Sequence, residues 1–110
     1  MEARNMEPYT DEQISFQLIL HSGNARSCII QSIRDYKEGR TNESESLISQ
    51  AEQEFAKAHD IHFQMIQKEA GGKKTDFSLL FMHAEDHLMS TMAMKEIVKE
   101  MLDLFKTKNL

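Results

Sequence analysis

The chain has no tryptophan, one cysteine (Cys28), one proline (Pro8) and only four glycines (Gly23, Gly39, Gly71, Gly72) in 110 residues. A single cysteine excludes an internal disulfide and a cysteine-rich metal site, and a free thiol suits a reducing compartment. So few chain breakers over this length favour long helices over a fold of short strands and turns. Cationic side chains are in the minority, 13 Lys and Arg against 18 Asp and Glu, for a net charge of −5. No basic run or basic-aromatic face stands out, which sets nucleic-acid binding aside. The longest apolar runs are a few residues, too short to span a membrane. The first ten residues are polar and mixed in charge, unlike a secretory leader. Together these absences predict a cytoplasmic protein.

What is present is an ordinary folded composition, 40% hydrophobic and 28% charged. The length predicts a single domain over residues 1–110, with residues 1–9 as a flexible N-terminus. Eight methionines supply unbranched, adaptable packing.

The breakers divide the chain into three helices, at about 10–39, 42–70 and 75–106. Thr10 or Asp11 can cap the first, with Glu12 and Gln13 in its opening turn, and Gly39 closes it. Asn42 is placed to cap the second, with Glu43 and Glu45 at the positive end of its dipole. Gly71 and Gly72 end that helix, and Thr75 or Asp76 starts the third. Each would hold roughly 28 residues and extend about 42 Å. Two short connections favour an all-α, antiparallel three-helix bundle.

Periodicity supports the division. Ile14, Leu18, His21, Ala25, Cys28, Ile29 and Tyr36 share one face of the first helix, and Leu47, Ala51, Phe55, Ala58, His62, Met65 and Ile66 share one face of the second. The third is apolar nearly all round in its N-terminal half, through Leu80, Phe81, Met82, Leu88, Met89 and Met92. Two partner helices cannot enclose such a helix, so the pattern predicts self-association along it.

Inside that apolar stretch lies Met82-His83-Ala84-Glu85-Asp86-His87-Leu88-Met89. On a helix His83, Asp86 and His87 fall within about 100° of one another. Burying two imidazoles and a carboxylate costs several kcal/mol without partners, and three readings account for them. The first is a satisfied hydrogen-bonded cluster. The second is a zinc site using histidines at i and i+4, although the segment is not HExxH and the chain contains no Glu-x-x-His pair. The third is a phosphoryl relay, since a neutral imidazole nitrogen is a competent nucleophile near pH 7. Such a relay needs no Walker loop when the phosphoryl arrives on a donor protein. Spacing alone does not choose between relay and zinc.

The stretch His83-Ala84-Glu85-Asp86-His87-Leu88-Met89 closely resembles the active-site motif of the lactose/cellobiose-specific IIA proteins of the bacterial phosphotransferase system. Ile19-Leu20-His21-Ser22-Gly23-Asn24-Ala25-Arg26-Ser27 resembles the family's first-helix signature. Ala58-His59 with Ile66-Gln67-Lys68-Glu69-Ala70-Gly71 resembles the end of its second helix. The likeness runs from about Asp11 to about Phe105. It implies a homotrimer of three-helix protomers, a nine-helix bundle, in which His83 accepts a phosphoryl group from the histidine phosphocarrier HPr. His83 would pass it to a cysteine of the IIB subunit during uptake of a β-linked disaccharide of the lactose, cellobiose or chitobiose type. The sugar itself would meet only the IIC membrane permease. Asp86 matches a position that gathers from three protomers around one Mg2+ or similar divalent cation on the trimer axis. His87 matches a second, supporting active-site histidine.

Glu85 and His62 stand where relatives commonly carry glutamine. Glu85 is expected either beside the incoming phosphoryl, where its charge would oppose transfer, or pointing to solvent. It keeps open the alternative of a trimeric regulatory or interaction protein with reduced relay activity. His21, His59 and His62 are expected to pack or hydrogen-bond, and Cys28 to be a small core residue.

Overall fold

Three helices account for the architecture in a computed structural model that describes residues 9–73 and 76–110. They are α1 (Asp11–Lys37), α2 (Thr41–Ala70) and α3 (Leu79–Thr107). Of the two candidate caps for α1, Thr10 is used. Its hydroxyl accepts from the backbone N–H of Gln13 at 3.1 Å, and the Gln13 side chain accepts from the Thr10 N–H at 2.9 Å, a reciprocal capping box. Gly39 (φ +82°) and Gly72 (φ +90°) turn the chain out of α1 and α2 in a backbone region that disfavours side chains.

Two helix starts differ from expectation. α2 begins at Thr41 with Arg40 in the cap position, so Asn42 lies inside the helix and does not cap it. Asp35 replaces the missing side-chain cap as an anchor for this turn, accepting from Arg40 and Gln31 at 2.8 Å each. The Arg40 hydrogen bond, followed by that of Gln31, holds its carboxyl below the usual range. α3 begins at Leu79, capped by Ser78, whose hydroxyl accepts from Phe81 N–H at 3.1 Å. Asp76 lies outside the helix, and the expected cap at Thr75 and segment 1–8 fall outside the described residues.

The helices run up, down, up. Asp11 at the start of α1 meets Lys68 near the end of α2 at 2.8 Å. At the opposite end the Ser32 hydroxyl donates to the Ser44 carbonyl at 3.0 Å, and the Tyr36 hydroxyl donates to the Leu110 carbonyl at 3.0 Å. α1 packs closely on both other helices, whereas α2 and α3 approach each other more distantly.

Ile14, Leu18, Ala25 and Ile29 of α1, Ala51, Phe55, Ala58 and Met65 of α2, and Ala84, Leu88, Val98 and Leu102 of α3 form one core. Burying a side chain such as Leu18 or Ile29 is worth about 1.5–3 kcal/mol. On α2 the buried stripe is rotated from the expected one. Ile48 and Ile61 enter the core, Leu47 is half-buried, and Ile66 is exposed. The cause is that α2 packs chiefly on α1, so one helix rather than two selects its inner face.

Candidate functional site

The site lies in the first three turns of α3, at the end of the bundle where α1 starts and α2 finishes. Ala84 and Leu88 are buried and fix this part of α3 against the core. Their placement turns His83 outward, and it is exposed. His87, one turn further, is half-buried. The two rings meet edge to face, with centroids 6.1 Å apart and planes at 74°. Asp86 is exposed on the outer side of α3. The three candidates thus share a flank but not an environment.

Thr91 is fully buried, and its Oγ1 lies 3.4 Å from His87 Nδ1. When the hydroxyl donates to Nδ1, the ring carries its proton on Nε2, and that N–H is left to act as a donor. The i, i+4 spacing of His87 and Thr91 was visible in the chain. Burial of the hydroxyl, which makes the pairing matter, was not.

Glu85 is partly turned to solvent, with its side chain 41% exposed, and it also reaches α2. Its Oε2 lies 2.8 Å from Nε2 of His62 on α2. The His62 ring also stacks on Phe81, at 6.2 Å and 23°. Around the pair is a cleft of about 350 Å³ lined by His62, Met65, Ile66, Glu69, Phe81 and Glu85. A carboxylate two residues beyond His83 is therefore engaged by an imidazole on the neighbouring helix.

The other histidines behave as expected. His21 Nδ1 lies 2.8 Å from Glu54 Oε1, and His59 stacks on Phe63 at 6.3 Å. Cys28 packs half-buried at the edge of the core. Burial first, then the charge of Glu54, pushes its thiol pKa up, so it is protonated and a poor nucleophile at neutral pH.

Among the described residues, no three His, Cys, Asp or Glu side chains converge as a metal site. One protomer therefore supplies no zinc ligand set around His83 and His87. Among the same residues no helix is long and apolar enough to cross a membrane.

An exposed histidine thus stands edge-on to a second one, on a helix of a three-helix domain whose apolar outer face is uncovered. Residues 13–106 match the family described as the PTS system lactose/cellobiose-specific IIA subunit, and the chain belongs to that family. It is 73% identical over 110 residues, all of both chains, to the PTS system oligo-beta-mannoside-specific EIIA component of Bacillus subtilis (strain 168). Its fold superposes with a TM-score of 0.86 on the PTS cellobiose-specific enzyme IIA from Bacillus anthracis, at 41% identity and 94% coverage of both chains. It superposes with a TM-score of 0.79 on the IIA of the Escherichia coli IIA(chitobiose)–HPr complex. That match is 27% identical and covers 93% of this chain and 99% of the other. This is a phosphotransferase component of a sugar uptake system.

Proposed function

We propose that His83 is the residue that receives and passes on the phosphoryl group. The observation that carries this reading is the exposed His83 ring with His87 edge-on to it one turn away. A ring nitrogen of neutral His83 attacks the phosphorus of a phosphohistidine on HPr. A P–N bond to His83 forms as the P–N bond to the donor breaks, and the donor imidazole leaves. The thiolate of IIB then attacks the same phosphorus, forming P–S and returning His83 to its neutral state. His87 Nε2–H, oriented through Thr91, donates to the phosphoryl oxygens.

HPr is the donor supported by the solved complex of the chitobiose relative. The strongly exposed Phe77 and Leu79 place apolar surface beside His83 for docking. The full-length likeness to an oligo-beta-mannoside component supports a β-linked disaccharide or short oligosaccharide as the transported sugar. The relay works in the cytoplasm, where HPr and IIB would meet it. Engagement of Glu85 by His62 supports the relay over a trimeric regulatory protein with reduced relay activity.

Met82, Asp86, Met89, Ala93, Ile97 and Leu104 lie within about 80° on α3 at 100° per residue, and all are exposed. This stripe supports a homotrimer with three α3 helices on a common axis, a nine-helix bundle. Asp86 then supplies one carboxylate per protomer. That oxygen-only donor set suits Mg2+ or a similar hard divalent cation, one per trimer, and does not suit a metal that prefers nitrogen or sulfur. The ion would offset repulsion between the three carboxylates.

The test is intact mass after incubation with phosphoenolpyruvate, Enzyme I and HPr. An acid-labile gain of one phosphoryl group is expected in wild type and none in His83→Ala, with helical content unchanged. Normal labelling of His83→Ala would overturn the assignment.

A further inference from the structure

α2 and α3 are joined less by apolar packing than by polar straps across a seam. At one end of the seam Lys106 pairs with Glu45, and Lys99 pairs with Glu52 at 2.7 Å. At the other end, beside the site, the strap is His62 with Glu85. His62 is gripped twice, by the 2.8 Å contact to Glu85 and by stacking on Phe81, one turn earlier on α3. Its side chain is only 17% exposed. His83 lies between Phe81 and Glu85 in the same turn, about 200° around α3 from Glu85. A rotation of this turn that shifts Glu85 shifts His83 in the opposite sense. The other anchors here are the Ser78 cap, the packing of Phe81 on the core, and the buried Ala84 and Leu88, whereas Leu79 and Met82 are exposed.

From this geometry we infer that His62 is a positioning residue for the relay: by clasping Phe81 and Glu85 it sets the pose of the α3 turn that aims His83. The inference rests on the phosphoryl-acceptor reading of His83. The clasp holds a nucleophile at a fixed angle, and a misplacement of about 1 Å in such a geometry can cost about a hundredfold in rate.

The experiment measures transfer from phosphorylated HPr to wild type, His62→Ala, Glu85→Ala, the double variant and His62→Gln. Helical content and oligomeric state are checked for each. His62→Ala and Glu85→Ala are each expected to lower the maximal rate about tenfold or more with little change in KM, since positioning acts on the transition state. The double variant should be no slower than either single one, because both remove one clasp. His62→Gln, which keeps an N–H for Glu85, should recover most of the rate. Wild-type rates in a folded His62→Ala would overturn the inference, as would two losses that multiply. A harmless Glu85→Ala that also restores His62→Ala would overturn it too, since His62 would then act by neutralising a carboxylate. Failure of wild type itself to accept phosphoryl on His83 would instead reject the underlying relay reading.

Discussion

The ring of His87 stands edge-on to that of His83 at 6.1 Å, and its Nδ1 lies 3.4 Å from the buried hydroxyl of Thr91. One nitrogen of His87 is thus turned toward the buried Thr91, and the other is left for the proposed phosphoryl site.

His87→Ala should therefore keep the fold and slow phosphoryl acceptance by about 100–1,000-fold, the range for losing one preorganised donor to developing charge. Rapid-quench transfer from phosphorylated HPr measures this. An unchanged rate would remove His87 from the site.

Asp86→Leu should abolish binding of the proposed divalent ion and leave the proposed trimer at least as resistant to dissociation as wild type. A leucine continues the apolar stripe of Met82 and Met89, and apolar replacements of buried charges are often neutral or stabilising. Metal analysis paired with sedimentation equilibrium checks both parts. Dissociation into protomers would show that the ion braces the assembly.

Acid should weaken the bundle through Glu54. Its carboxylate accepts from His21, Asn24 and Lys57, and these bonds, led by that of His21, lower its pKa to about 2. The folded value lies below the unfolded value of about 4.3. The stabilisation is therefore complete above about pH 5 and is lost as pH falls toward 2. With the side chain 17% exposed, the contribution is roughly 1–2 kcal/mol after solvent screening. Urea denaturation at pH 7 and pH 3 should show Glu54→Gln losing less stability on acidification than wild type, by somewhat more than half that amount, since pH 3 lies above the folded-state pKa.

Ser22 is fully buried, and its hydroxyl has no hydrogen-bond partner among the described residues. Ser22→Ala removes an unsatisfied polar atom at almost constant volume. It should raise unfolding stability by about 1 kcal/mol, read as a higher urea midpoint at unchanged slope.

Much of the site could be read from the chain because helix geometry is local. The spacing of His83, Asp86 and His87 fixes their angular relation once α3 forms, and the four-residue step from His87 to Thr91 does the same. The glycines at 39, 71 and 72 marked the helix ends for an equally local reason, since Gly39 and Gly72 take positive φ. Helix starts were less legible. Thr10, one of two candidates by type, does cap α1, but Asn42 does not cap α2, which follows Arg40, and α3 starts behind Ser78.

Across helices, residue type is not enough. Glu85 read alone is a carboxylate that opposes phosphoryl transfer. Only the tertiary structure sets it 2.8 Å from His62, because that contact depends on the register in which α2 and α3 lie along α1. The same register rotates Ile48 and Ile61 into the core and leaves Ile66 outside. Sequence by itself determined three helices, their order, and the face that carries His83, Asp86 and His87, since these follow from a 3.6-residue period and from breakers along one chain. Tertiary structure alone decided which side chains meet between helices, since a contact between residues 62 and 85 follows from how two cylinders pack and not from any period within them.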